Sequence, residues 1–214
     1  MRAPSPIQYT SPSMTATTLS TELEAINTML ESAEEAPVGA LTLTGLYPLD
    51  KARGILSETS RVVQAMGWKF NTEDGFPFMR DPNGLIVLPD NLLTLDVDDV
   101  FLASIDPVQR GNRLYDARNH TYTFTQDVTG TAVWLLGWDD LPQPARHYIT
   151  IRAARTMQGR SSVGQSTYRY SQDDEQAAML SLQELESQSG DHNMLRDSLS
   201  VSSVLYGREM LWLS

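Results

Sequence analysis

Two pairs of adjacent acids, Asp98–Asp99 and Asp139–Asp140, are the clearest candidates for chemistry in this chain. A glycosidase needs two carboxylates across a cleft, one of them with a raised pKa. Each pair here precedes a predicted strand or helix, where adjacent acids more often cap or turn the chain. The stretch DVDD at residues 96–99 also lacks the glycine and distal glutamate of a calcium-binding EF-hand loop. We therefore expect turns, and we keep a tail-associated glycan hydrolase that uses Asp139 or Asp98 as the alternative.

Other reactive groups are few and far apart. His120, His147 and His192 are too scattered in the sequence to predict a metal cluster. The stretch GRSSVGQS at residues 159–166 has neither the Gly-x-Ser-x-Gly order of a nucleophile elbow nor the lysine of a phosphate loop. The chain has no cysteine, which excludes disulfides and thiol catalysis. We therefore expect no catalytic residue, no metal and no cofactor.

Composition describes an ordinary globular protein with an acidic surface. The chain has 214 residues, 41% hydrophobic and 20% charged, and a net charge of −11. That length suits one large domain or two small ones. No apolar run approaches the roughly 18 residues that a membrane span needs, and the first residues lack the apolar centre of a secretory signal. The negative charge disfavours a protein that grips nucleic acid, because phosphate binding needs clustered Lys and Arg.

Two helices are predicted in the first third of the chain. Thr21 and Glu24 match a capping box, and apolar residues from Leu19 to Leu30 recur at helical spacing. The second helix starts near Pro48, which suits the first turn because proline has no N–H to satisfy. Gly67 is a natural stop for it.

The apolar period then shortens to that of strands. Short apolar runs alternate with turn residues such as DPNG at 81–84. They predict strands in VFLASI (100–105), NRLYDARNHTYTF (112–124) and TAVWLL (131–136). Tyr122 and Phe124 alternate with threonines, as on a half-buried sheet.

Helical spacing returns at residues 141–160. A last long helix begins near Ser171, where Asp174 completes a second capping box, and Gly190 is expected to end it. Two helices thus precede a β insertion and two follow it. We predict an α+β fold, an antiparallel four-helix bundle with an inserted, mainly antiparallel β module and extended N- and C-terminal arms. Its five segments are a flexible N-terminal arm (1–18), the first half of the bundle (19–68), the β module (69–138), the second half (139–190) and a C-terminal extension (191–214).

Charge divides the four helical segments into two acidic and two basic ones. Residues 18–40 and 171–191 carry five and six acids and no base, whereas 51–69 and 139–160 carry four bases each. Opposite charges can face each other across helix seams, within one chain or between copies, or all four faces can simply be solvated. Exposed pairs contribute only about 0.2–1 kcal/mol each, so they choose a register or a partner more than they create the fold.

The third helix is apolar around more than half of its circumference, at about 100° per residue. Arg152 and Arg155 share the remaining sector with Tyr148. Either this is a central bundle helix, or it also contacts a neighbouring copy through its arginines, whose planar forks bind carboxylates. The candidates for a subunit interface are Arg152, Arg155, Tyr148, Glu184 and Glu186.

Three groups of stretches carry a resemblance to a known family. They are LEAINTMLESAEEAPVGAL with KARGILSETSRVVQAMGWKFNTE, then RGNRLYDARNHTYTF, then WDDLPQPARHYITIRAARTMQGR with DDEQAAMLSLQELESQSGDHNML. Their order and spacing, over roughly residues 22–195, resemble tail tubular protein A, the head-to-tail adaptor (portal–nozzle connector) family of short-tailed phages, the podoviruses.

The resemblance implies a non-enzymatic virion protein of the tail or neck, assembled in the host cytoplasm. It implies a homo-oligomeric ring, usually a dodecamer, with the portal protein above and the tail nozzle protein below. Viral double-stranded DNA would pass through the lumen without sequence-specific binding during genome ejection, and no membrane is involved. We expect the C-terminal tail to dock on the portal or a neighbour through Leu205, Tyr206, Leu211 and Trp212, since aromatic anchors dominate interface energies. A monomeric binding module remains the other alternative.

Overall fold

The computed structural model of the chain describes residues 19–43, 45–161 and 169–197, with side chains as far as residue 188 in the last range. Its long helices are α1 (Glu22–Ser32), α2 (Tyr47–Gln64), α4 (Gln143–Gly159) and α5 (Gln172–Asp197), and α3 (Asp99–Leu102) is a single turn. The strands are β1 (Thr72–Phe78), β2 (Leu92–Val97), β3 (Pro107–Arg110), β4 (Arg113–Asp116) and β5 (Val128–Trp134). The fold is therefore α+β with antiparallel sheets.

Helix α4 is the centre of the helical part. It packs against α1, α2 and α5, and α1 also packs against α2. Ile149, Ala153 and Met157 on α4 are almost fully buried, together with Met29 of α1 and Leu49 of α2. The multi-sided burial predicted for the third helix is thus met within a single chain.

Both predicted capping boxes are present. The backbone N–H of Glu24 donates to Thr21 Oγ1 at 3.2 Å, and the N–H of Thr21 donates to the Glu24 carboxylate at 2.8 Å. The N–H of Asp174 donates to Ser171 Oγ at 3.2 Å, and the N–H of Ser171 returns a bond to Asp174 at 2.7 Å. The bond from the Ser171 backbone N–H lowers the pKa of Asp174 below its usual value. These local bonds fix where α1 and α5 begin.

The β part has its own core. Strand β5 lies between β1 and β2 in a three-stranded antiparallel sheet, and β3 and β4 form a hairpin. Phe78, Ile86, Leu88, Leu114 and Val128 are buried in this core, and Leu136 contacts both it and the helical core.

The hairpin turn at DPNG is confirmed by the bond from the Gly84 N–H to the Asp81 carbonyl at 2.9 Å. Two strand predictions are wrong. VFLASI contains α3, because Phe101 and Ile105, four residues apart, both pack on the β core while Val100 is 75% exposed. Such a short apolar run fits a helical turn as well as a strand. Residues 121–124 form isolated bridges and no strand.

The predicted end of the last helix at Gly190 is also wrong, since α5 continues to Asp197. One glycine costs a helix about 1 kcal/mol, which is too little to end it alone. Residues 1–18, most of the C-terminal extension and the docking candidates Leu205, Tyr206, Leu211 and Trp212 lie outside the described residues.

Candidate subunit interface

The arginines predicted to reach a neighbour have a partner in their own chain. Glu175, in the first turn of α5, accepts a hydrogen bond from Arg155 Nη1, and its other oxygen lies 3.9 Å from Arg152 Nε. Arg152 Nη1 also donates to the hydroxyl of Tyr148 at 2.9 Å. The structure therefore brings Arg152, Arg155 and Tyr148 together, at the seam between α4 and α5.

This cluster lies partly in solvent. The side chains of Arg152 and Arg155 are 32% and 31% exposed, so screening limits each pair to at most about 1 kcal/mol. Each guanidinium has five N–H donors, and the hydrogen bonds above use only part of them. The cluster thus joins α4 to α5 and leaves donors facing outward.

The two glutamates predicted for the interface lie farther along α5. Both oxygens of Glu186 accept the backbone N–H of Lys69 at 2.9 Å, at the turn that leads into β1. Glu184 is exposed, and its hydrogen bond from Gln188 is long, at 3.5 Å. Nine residues of helix separate Glu184 from Glu175, which is about 13 Å along the axis. The five interface candidates therefore do not form one cluster.

Sequence reasoning missed a clamp built on Arg146. This side chain is only 3% exposed, yet it has no carboxylate partner. Its guanidinium donates to the carbonyls of Leu141 at 2.8 Å, Ser20 at 2.8 Å and Asp139 at 2.7 Å. The indole N–H of Trp138 donates to the same Ser20 carbonyl at 2.9 Å. The clamp ties Ser20, which follows the predicted N-terminal arm, to the start of α4.

The sequence did hold one signal for this clamp. Arg146 lies three, seven and eleven residues before Ile149, Ala153 and Met157, so it continues the apolar stripe of α4. A cation on a buried stripe needs acceptors, and nearby carbonyls supply them.

The acids considered for catalysis have structural contacts. The carboxylate of Asp98 accepts a hydrogen bond from the Thr129 hydroxyl, and Asp139 is an exposed residue whose backbone carbonyl binds Arg146. In the described part of the chain, no group of three or more His, Asp or Glu side chains is arranged to hold a metal ion. None of the described helices combines the length and the apolar character that crossing a membrane requires.

A second basic surface lies on the β3–β4 hairpin. Arg110 and Arg113 are directly opposite each other in the register, and the Arg110 guanidinium sits 3.6 Å above the ring centre of Tyr115. Tyr122 packs edge-on against Tyr115, with ring centres 4.8 Å apart. Both arginines are exposed.

Buried Asp116 fixes the loop that follows this hairpin. Its Oδ1 accepts backbone N–H bonds from Asp106, Arg118 and Asn119 at 3.0–3.2 Å, and its Oδ2 accepts the Asn119 amide at 2.6 Å. Burial alone raises the pKa of Asp116, but these hydrogen bonds outweigh it and hold the pKa below its usual value. The one acid of the segment is thus consumed by the loop and does not neutralise the arginines.

Comparison with known proteins gives one match. Residues 23–192 match the family model described as tail tubular protein. A search of curated proteins found no match. The family match supports a structural role in a phage tail and a location in the tail of the virion, and it is consistent with a protein that is not an enzyme.

Proposed function

We propose, because this chain belongs to the tail tubular protein family, that it is the head-to-tail adaptor of a podovirus. Copies of the chain assemble into a ring, a dodecamer, between the portal protein and the tail nozzle protein. The genome passes through the lumen of the ring without sequence-specific contacts. The family match over residues 23–192 carries this proposal.

The charge of the chain supports such a conduit. Each copy has a net charge of −11, so a ring of copies is a strongly negative assembly. An acidic wall repels the phosphate backbone and lets a duplex slide.

The distribution of surfaces also supports a ring. A cyclic assembly uses heterologous contacts, in which one face of a subunit meets a different face of the next. The described residues offer such unlike faces, the acidic α5 and the basic β3–β4 hairpin. In the proposal, the four long helices form an antiparallel bundle around α4 that builds the ring. The β module (69–138) contacts the nozzle, and the C-terminal extension contacts the portal or a neighbour.

The outward donors of Arg152 and Arg155 remain proposed contacts for a neighbouring copy, together with Tyr148, Glu184 and Glu186. No observation favours a glycan hydrolase or a monomeric binding module over the adaptor, so neither is taken further.

Reconstitution with the portal protein tests the proposal. The purified chain is mixed with portal rings and imaged by negative-stain electron microscopy, with a matched sample that lacks residues 196–214. We expect the full chain to add a rotationally symmetric ring to the portal and the truncated chain to fold without joining it. Portal rings that stay bare with the full chain would refute the adaptor function. Normal assembly of the truncated chain would refute only the role of the tail.

A further inference from the structure

The arginines of the described chain fall into two groups. Those on α4, including the two proposed for the interface, bind Glu175 or backbone carbonyls of their own chain. On the β3–β4 hairpin, by contrast, Arg110 and Arg113 have no described carboxylate within 4.0 Å. The unpaired positive charge that a partner can use therefore lies on the hairpin.

The hairpin holds these charges in an unfavourable arrangement. Arg110 and Arg113 are paired across β3 and β4, and like charges directly opposite each other destabilise a sheet. Stacking on Tyr115 and the loop fixed by Asp116 keep the arrangement in place. A carboxylate between the two guanidinium groups would relieve the repulsion.

One apolar residue completes this face. Side chains two residues apart in a strand share a face, so Val108 lies on the same side as Arg110, and it is 41% exposed. We call Val108, Arg110 and Arg113 the hairpin face. It combines one exposed apolar side chain with two cations that lack a partner.

Helix α5 has a surface with the opposite content. Asp173, Gln176, Leu180 and Glu184 follow one another at intervals of three or four residues, which places them on one side of the helix. All four are exposed, and Leu180 is 58% exposed. We call these four residues the α5 stripe, and residues 171–191 around it contain no base.

We propose that the hairpin face of one copy docks on the α5 stripe of the next copy. Val108 covers Leu180, and Arg110 and Arg113 share the carboxylate of Glu184. A second copy fits both surfaces better than nucleic acid does, because phosphates would leave Val108 and Leu180 uncovered. Two unlike, complementary surfaces on one chain are what a closed ring requires. This inference rests on the proposed ring.

Cross-linking tests the contact directly, since the chain has no cysteine of its own. Val108→Cys and Leu180→Cys chains carrying tags of different size are mixed, assembled on portal rings and treated with a short bismaleimide. The control pair replaces Val108→Cys with Val62→Cys, because Val62 on α2 is 47% exposed and belongs to neither surface. We expect at least ten times more mixed dimer from the first pair. Equal yields from the two pairs would overturn the proposal.

Charge reversal tests the pairing of ions. Arg110→Glu with Arg113→Glu should lower the yield of rings at least tenfold, and Glu184→Lys in the same chain should restore part of it. Arg61→Glu is the matched control, because Arg61 is exposed and lacks a carboxylate partner but lies on α2. Rings formed normally by the double variant would overturn the proposal. If that variant also lost binding to duplex DNA, the hairpin face would be assigned to nucleic acid. Failure of the wild-type chain to form rings would refute the proposed function itself.

Discussion

Replacing Arg146 by methionine should destabilise the protein far more than replacing any surface arginine. Methionine has a similar length and can occupy the buried site, but it donates no hydrogen bond. The variant loses the bonds to the carbonyls of Leu141, Ser20 and Asp139, which are 2.7–2.8 Å long. Of these acceptors, Ser20 keeps the Trp138 indole as a donor.

The magnitude follows from the acceptors that remain. A hydrogen bond from a charged donor contributes about 1.5–3 kcal/mol, and a buried group left without a partner costs about 1–3 kcal/mol. Methionine removes the desolvation penalty of the cation, which offsets part of the loss. With Ser20 still bonded and Asp139 exposed, we expect a net loss of about 3 kcal/mol. For a protein of this size that lowers Tm by roughly 6–12 °C.

Urea denaturation followed by circular dichroism measures the free energy of unfolding of Arg146→Met beside Arg152→Met. The control removes a partly exposed arginine of the same helix whose Glu175 contact is 3.9 Å long, so its loss should stay below about 1 kcal/mol. The clamp argument fails if both variants lose the same free energy, or if Arg146→Met unfolds at the wild-type urea concentration.

Three further variants test other parts of the fold. Gly130→Ala should cost at least about 2 kcal/mol in urea denaturation, since a Cβ there would lie 2.2 Å from the Asp96 carbonyl oxygen; Gly54→Ala, with open space around it, should add about 0.5–1 kcal/mol, and equal effects would contradict the packing argument. The pKa of Asp116 is lower in the folded state than its reference value of 3.8, so its stabilisation is complete above about pH 5 and disappears as pH falls through that lowered pKa. Asp116→Asn should therefore unfold more easily at pH 7 yet lose less stability between pH 5 and pH 2, and parallel pH profiles of urea midpoints would rule this out. Thr21→Ala should lose about 1 kcal/mol by removing the cap of α1, and an unchanged midpoint would show that the cap is dispensable.

Features set by neighbouring residues could be predicted from the sequence. The capping boxes at Thr21 and Ser171 and the turn at DPNG depend on side chains within three or four residues of each other. Their geometry is local, so the same contacts form in almost any fold that contains those segments.

Features that depend on tertiary packing could not be predicted in the same way. VFLASI forms a helical turn because the β core lies on the side that Phe101 and Ile105 share. The long extension of α5 past Gly190 likewise overrides a local stop signal.

The candidate site shows the same division. Arg152, Arg155 and Tyr148 were identified as one polar sector of a helix, and the structure does bring them together. Their partner Glu175 depends on how α5 packs against α4. The acceptors of Arg146 are carbonyls, which no residue type in the sequence distinguishes.

The most direct test of the proposed function is a cryo-electron microscopy reconstruction of the neck of the virion. The adaptor account predicts a ring of this polypeptide, with rotational symmetry, between the portal and the nozzle and around a channel wide enough for duplex DNA. A neck without this polypeptide, or one that holds it without rotational symmetry, would contradict the account.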